Sequence, residues 1–407
     1  MTTTAATYPL RILVVEFLPS GGMYQFAYQF ADALARQGHM VTLLTGPDPE
    51  FSSQTTGLTV VEGLPTWHPN AVDHLGPLRR RFRRGTRALR LLESWRRVLA
   101  YARRGQFDVI QFGELRYALD TASFLAVARW GLAETLVDVA HNPLPYDVNS
   151  ADQAVEKSGR LTIGLLRRAY EACDLVLVLG EGPRAELLEH FPGVRRTAIC
   201  GHGDYSAVLR QDAVAAPSLA GPSALFFGAW TKYKNLPLLL EAFALLRREI
   251  PAARLTLAGP LMPDVDLQQL ATRAEEIGNV ALRPGYVAME DLPNLFADHR
   301  VVMFTYETVN ISGSVHMAYT FGRPVIATAV GSMTDVVADG RTGRLVPPQA
   351  AAIAAAMAEI LGDDDVADSM GKAARLVAQS DASWSAVAER ATAAYLNRRV
   401  TASATHH

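Results

Sequence analysis

Apolar residues in the first half of the chain come in short runs separated by stretches of helical period. "RILVVEF" (11–17) reads as a strand, "MYQFAYQFADALARQG" (23–38) as a helix closed by Gly38, and "HMVTLLTG" (39–46) as the next strand. Further strands are predicted at "FDVIQF" (107–112), "ETLVDVAH" (134–141), "DLVLVLG" (174–180) and "RTAICGHG" (196–203), with helices between most of them. This alternation is that of a parallel sheet covered on both faces.

The rhythm then restarts. "SALFFGA" (223–229), "ARLTLAG" (253–259), "VALRPGY" (280–286) and "VVMFTY" (301–306) read as strands, with helices at 236–250, near 265–277 and at 290–299. "YETVNISGSVHMAYTFGRP" (306–324) reads as a strand end, a small-residue loop and a helix ending at Gly322. Between the halves lies "RQDAVAAPSLAGPS" (210–223), whose Ala, Pro and Ser content suits a linker. The expected organisation is therefore a first α/β domain over 1–205, a linker over 206–222, a second α/β domain over 223–382 and a final helix over 383–400. Two such domains in tandem put the carboxyl ends of two sheets across one cleft, where ligands of open α/β folds bind.

Composition changes little in this picture. With 407 residues, 49% apolar and 20% charged, the chain suits two globular domains. Two cysteines, Cys173 and Cys200, make neither a disulfide framework nor a metal pattern, which suits a reducing interior. No apolar run reaches the length of a membrane span and Met1 to Pro9 lacks a signal peptide's apolar region, so a cytoplasmic location is expected. The tail Thr401 to His407 reads as disordered.

The net charge of −2 hides a basic segment, "LRRRFRRGTRALRLLESWRRVLAYARRG" (78–105), with eleven arginines against one glutamate. Leu89, Leu92, Trp95 and Leu99 recur in it at helical spacing, so one face can pack on the domain while the other meets anionic headgroups or a phosphorylated acceptor. Few aromatics accompany the arginines, which argues against a nucleic-acid partner. A solvated basic helix without a partner is the plainer alternative.

Candidate chemistry gathers at predicted strand ends. Gly21 and Gly22 follow the first strand and let backbone amides approach an anion at a helix start, without the spacing of a dinucleotide fingerprint. His141 and Asn142 close an apolar strand, where an imidazole can bond a sugar hydroxyl or phosphate and exchange a proton. Of only four lysines, Lys232 and Lys234 sit together in "FFGAWTKYKNL" (226–236), placed to neutralise a diphosphate as charge grows on it. Gly285 and Tyr286 end another strand and offer a flat wall for a nucleobase. Ser312, Gly313 and Ser314 begin a helix with amides suited to phosphate. Asp264 and Asp266 spell Asp-x-Asp but read better as helix-capping acids, and no residue cluster has metal-ligand spacing. The run "DDDVADS" (363–369) likewise reads as a helix start.

Taken in order, the Gly-Gly loop, "AHNPLP", "HGDY" (202–205), "FFGAWTKYKNL", "RPGYV", "SGSVHMAYTFGRPVIATAVGSMTDVVADGRTGRLVPP" (312–348) and "SWSAVAERATAAY" (383–395) resemble the GT-B glycosyltransferases of family 4. The likeness runs from about residue 10 to 398 and is most specific in the segment after Phe321. It implies two Rossmann-like domains facing a cleft, a last helix crossing back to the first domain, and retaining transfer of a sugar from a nucleotide-sugar co-substrate. No cofactor or obligatory metal is implied. Acceptors in prospect are a glycan, a lipid-linked molecule or a small molecule, with an anionic membrane surface, such as the inner face of the plasma membrane, as a further partner.

Carried over residue by residue, the family's diphosphate-binding lysine falls on Lys234 and its histidine near the transferred sugar on His141. Asn142 and Asp204 lie on the acceptor side, and Glu307 takes the role of reading sugar hydroxyls. Two positions depart from the pattern. Ala229 stands where the family has arginine, so Lys232 is the candidate substitute. Met317 stands where a glutamate bonds the ribose, a loss worth roughly 1.5–3 kcal/mol of donor affinity. On that alignment Met317→Glu tightens donor binding. These departures leave two other readings open: a catalytically weak or inactive sugar-nucleotide-binding subunit, and a GT-B-like sugar-nucleotide epimerase.

Overall fold

A computed structural model describes residues 8–66, 77–113, 115, 118–144, 160–206, 209, 221–308 and 313–403; Ser312 and most of the expected linker lie outside them. The first domain holds strands β1 (Arg11–Val15), β2 (Met40–Thr45), β3 (Leu58–Glu62), β4 (Phe107–Gly113), β5 (Ala133–Ala140), β6 (Leu175–Val178) and β7 (Thr197–Ile199). Its helices are α1 (Gly22–Arg36), α2 (Pro77–Gly105), α3 (Ala118–Arg129), α4 (Arg160–Ala172) and α5 (Glu181–His190). All seven strands are parallel, in the order β3-β2-β1-β4-β5-β6-β7. The central strands are buried on both faces, which is why they read as continuous apolar runs. β3 is a half-exposed edge strand and lacks that signature.

The second domain holds β8 (Ser223–Phe227), β9 (Arg254–Gly259), β10 (Val280–Pro284), β11 (Val301–Phe304), β12 (Val325–Thr328) and β13 (Gly343–Val346). Its helices are α6 (Leu236–Glu249), α7 (Leu267–Ile277), α8 (Leu292–Ala297), α9 (Gly313–Thr320), α10 (Met333–Val336), α11 (Ala350–Gly362) and α12 (Asp364–Gln379). Its six strands are again parallel, in the order β10-β9-β8-β11-β12-β13. Two of the acids read as caps act as such: Asp266 accepts from the amides of Gln268 and Gln269 at the start of α7, and Asp363 from those of Asp365 and Val366 at the start of α12, whereas Asp264 caps no helix and accepts from the Lys232 amide instead.

The last helix, α13 (Trp384–Ser403), returns to the first domain. Trp384, Val387, Ala388, Ala391, Ala394 and Tyr395 share one buried cluster with Phe26 and Phe30 of α1. The alanines let the helix approach closely, and the Trp384 indole N–H donates to Asp204 O and to Gln29 Oε1 (3.1 Å). Thr401, Ala402 and Ser403 belong to this helix rather than to a disordered tail.

The arginine-rich helix also differs from its sequence reading. Its inward face is Leu91, Trp95, Val98 and Ala102, while Leu89 (67% exposed) and Leu92 (48%) face outward. The spacing of four, three and four residues centred on Trp95 sets this face, because the indole fills the gap beside Phe17 and Phe112 and donates to Asp120 (2.8 Å). No helix among the described residues is long and apolar enough to cross a membrane.

The two domains touch at two places. At one, residues 201–206 leave β7 and run against α9; at the other, the amide of Gly182, at the start of α5, donates to Asp335 Oδ2 of α10 (2.9 Å).

Candidate active site

The sequence folds Lys234 inward. Lys232–Lys234 form a single 3-10 turn after β8, ended by Asn235 in the left-handed region (φ 50°), whose side chain caps α6. Lys234 is 7% exposed, and its ammonium lies 5.4 Å from the Tyr306 ring centroid and 5.8 Å from that of Phe226. Burial lowers its pKa to about 8. No carboxylate pairs with it among the described residues. A Cβ on Gly228 would come within 2.9 Å of Lys234 Nζ and 3.4 Å of Ser314 Oγ, so the ammonium and the first turn of α9 meet at one point. A buried cation beside a helix N-terminus is an arrangement for a phosphate.

Lys232 does not join it. The side chain is exposed, and its backbone amide donates to Asp264 Oδ2 (2.9 Å). Glu307 is exposed in the loop after β11, tied through its amide to Tyr233 O (2.7 Å). Gly285 (φ +141°) bonds back to Gly259 O, and Tyr286, 65% exposed, lines a cavity of about 320 Å³ with Val287 and Asn294. Ala229 is half-buried.

Met317 packs in the apolar core of the second domain and is 4% exposed. Replacing it with glutamate would bury a carboxylate among apolar side chains, so the ribose-binding acid expected from the alignment has no solvent-facing counterpart there.

Across the cleft, Gly21 (φ +87°) and Gly22 border open space. The Gly21 amide is already engaged, donating to Glu50 Oε2 (3.0 Å), while Glu50 Oε1 accepts from Gln25 (2.9 Å). Tyr205 and Tyr286 have their pKa values raised by burial and then by the charge of Glu50. His141 is buried at the end of β5, edge-on to Phe26 (4.5 Å between centroids, 81°), and Asn142 beside it is half-buried.

Asp204 is buried and its carboxylate is engaged within its own loop. Its carboxylate accepts from the amide (2.6 Å) and hydroxyl (2.5 Å) of Ser206, closing a turn of the interdomain segment. The short side chain satisfies its own backbone two residues on, as aspartate does in turns. The sequence reading singled out neither Glu50 nor the His202–His316 pair, in which two buried imidazoles stack at 4.8 Å and 14° between the domains.

Two parallel-sheet domains, a cleft between their carboxyl edges, a buried lysine at a helix start and a returning terminal helix define the GT-B class. The model for glycosyltransferase family 4 matches residues 20–200 and that for group 1 glycosyl transferases residues 221–363, so the chain pairs a first glycosyltransferase domain of family 4 with a second of group 1.

Among its relatives, the D-inositol 3-phosphate glycosyltransferase of Streptomyces coelicolor is 29% identical over 243 residues, 57% of this chain and 52% of that protein. The chain thus spans about half the length of that relative. The enzyme of the same name from Streptomyces scabiei is 28% identical over 425 residues, covering 93% of this chain and 88% of that protein. Anabaena HepE, solved in complex with UDP and glucose, has the same fold, with a TM-score of 0.65 at 16% identity over 95% of this chain and 99% of that one.

Proposed function

We propose that the protein transfers a sugar from a nucleotide-sugar donor to an acceptor hydroxyl with retention of configuration. The observation that carries this reading is the convergence of Lys234 Nζ and Ser314 Oγ beside Gly228 at the start of α9. An ammonium held without a carboxylate partner among the described residues favours a charged diphosphate, and favours it more as the leaving group gains charge.

In this mechanism the donor diphosphate rests on Lys234 and the amides of Gly313 and Ser314. The C–O bond between the anomeric carbon and the diphosphate breaks, the sugar becomes oxocarbenium-like, and the acceptor oxygen adds on the face the leaving group vacates. The acceptor proton passes to the departing diphosphate oxygen. His141 and Glu307 orient the sugar hydroxyls, Gly285 and Tyr286 flank the base, and Gly22 closes from the first domain. The reaction as drawn draws on no resident cofactor. UDP in the HepE complex makes UDP-sugars the first donors to test, and the relatives' names make a phosphorylated cyclitol the first acceptor.

The experiment is a screen of UDP-, GDP- and ADP-sugars against cyclitol phosphates, free polyols and lipid-linked glycans, scored by product mass. Product with any pair supports transfer. Nucleotide binding without product in the whole panel would favour the binding-subunit reading, which the substitutions at Ala229 and Met317 motivate. Interconversion of donors without acceptor would favour the epimerase. For the acceptor side, the outward Leu89 and Leu92 beside exposed Arg90 and Arg96 support docking on an anionic membrane face in the cytoplasm.

A further inference from the structure

An unbroken line of ring contacts crosses from the carboxyl end of β5 to α9. His141 meets Phe26 edge-on at 4.5 Å, Phe26 meets His202 at 5.3 Å and 67°, and His202 lies flat on His316 at 4.8 Å and 14°. His316 is in the first turn of α9, two residues after Ser314.

The line is clamped along its length. Trp384 packs edge-on against Phe26 at 5.1 Å and donates to Asp204 O, and a Cβ on Gly203 would collide with its indole at 2.2 Å. The Tyr205 amide donates to Thr320 Oγ1 (3.0 Å), which itself donates to His316 O (2.8 Å). His202 Nδ1 donates to Gly203 O (2.7 Å), so the neutral ring turns its Nε2 lone pair toward α9, where a Cβ on Gly313 would sit 3.2 Å away. That Cβ would also stand 2.8 Å from Tyr205 Oη, so any larger residue at 313 would displace the Tyr205 ring from the helix start.

Apolar rings would fill this space without burying polar nitrogens, and His316 Nδ1 has no hydrogen-bond partner among the described residues. Rings packed this tightly pass a displacement on rather than absorbing it.

We propose that Phe26, His202 and His316 form a positioning relay: a diphosphate seated at the start of α9 sets the His316 ring, and through His202 and Phe26 fixes His141 beside the transferred sugar. The relay rests on the donor site proposed above. It makes His202 and His316 positioning residues that touch neither sugar nor phosphate. Its consequence is that the second domain reports donor occupancy to the first without waiting for the acceptor.

The test uses the full chain with isotope-labelled histidine side chains, titrated with UDP, ADP and GDP. In the wild-type protein at least one of the three should move the His141 imidazole signals. In His316→Ala the same nucleotide should bind within threefold of its original Kd while the His141 response shrinks at least fivefold. His316→Phe, which restores a flat ring, should recover more than half of it. His202→Leu, which fills the volume without a flat ring, should behave as His316→Ala and carries the same test should that variant fail to fold.

A His141 response of wild-type size in both His316→Ala and His202→Leu would overturn the relay. So would silence of His141 toward all three nucleotides in the wild-type chain. A loss of affinity beyond tenfold in His316→Ala would make that residue a donor contact and also overturn it. The glycosyltransferase reading stands or falls separately, on product in the donor and acceptor screen.

Discussion

Asp335 of the second domain caps a helix of the first. Its Oδ2 accepts from Gly182 N–H at 2.9 Å, and α5 has no side-chain cap of its own. A Cβ on Gly180 would stand 3.0 Å from that oxygen and one on Gly182 3.3 Å, so the Gly-Glu-Gly start of α5 leaves the carboxylate just enough room. A cap of this kind contributes about 1 kcal/mol, enough to shift a balance between open and closed clefts about fivefold. Asp335→Ala should raise the radius of gyration in small-angle scattering of the nucleotide-free chain, with Asp335→Asn in between. An unchanged scattering curve would show that the contact follows closure rather than holding it.

Lys234 predicts a pH dependence of donor binding. With a pKa lowered to about 8, the ammonium is present at neutral pH and lost as pH rises through that value. Affinity for a nucleoside diphosphate should therefore weaken above about pH 8 in the wild-type protein. Lys234→Met should lose transfer about a hundredfold or more and show no such alkaline limb. Isothermal titration at several pH values checks both.

The stacked imidazoles predict acid sensitivity. Burial lowers His202 to about 4 and His316 well below its ordinary value, the second also through the neighbouring ring. The unfolded chain therefore binds more protons than the folded one between about pH 6.5 and 4, so stability falls as pH drops through that window. For His202 alone the difference amounts to about 3 kcal/mol. His202→Phe should flatten the decline of Tm with acidity, and a decline as steep as the parent's would mean that other groups govern it.

Met317 reverses an expectation drawn from alignment. A glutamate there was expected to tighten donor binding, but the side chain is packed in the apolar core. Met317→Glu should cost about 2 kcal/mol or more of stability, read as a lower denaturant midpoint, with no gain in nucleotide affinity.

The membrane reading makes its own prediction. Vesicles with anionic lipid should float the protein at low salt and release it at high salt, and Leu89→Ser/Leu92→Ser should weaken flotation. Flotation that ignores both salt and these substitutions would remove the arginine helix from the explanation.

How much of this was legible in the sequence follows from where the determining contacts lie. The buried strands were plain because burial on both faces forces an unbroken apolar run, and the edge strand β3 was missed because half of it faces water. Lys234 could be read from its strand-end position, but the outward turn of Lys232 depends on a three-residue turn that no periodicity marks. In α2 the helix was predicted along with Trp95 and Leu99 on its packed side, but Leu89 and Leu92 face outward, since Trp95 chooses the face by what it fills. His202 and His316 stayed hidden because neither has a neighbour in sequence that explains it; only the return of residues 201–206 onto α9 brings the rings together.

The returning helix has a consequence for the order in which the molecule is made. Trp384 and Tyr395 complete the core around Phe26 and Phe30, yet they leave the ribosome after the whole second domain. The half synthesised first is thus finished only after the second domain, and it waits with an apolar groove along α1 until residues 384–395 have emerged. A nascent chain stalled before residue 384 should carry a settled second domain and a first domain that still needs a chaperone's cover.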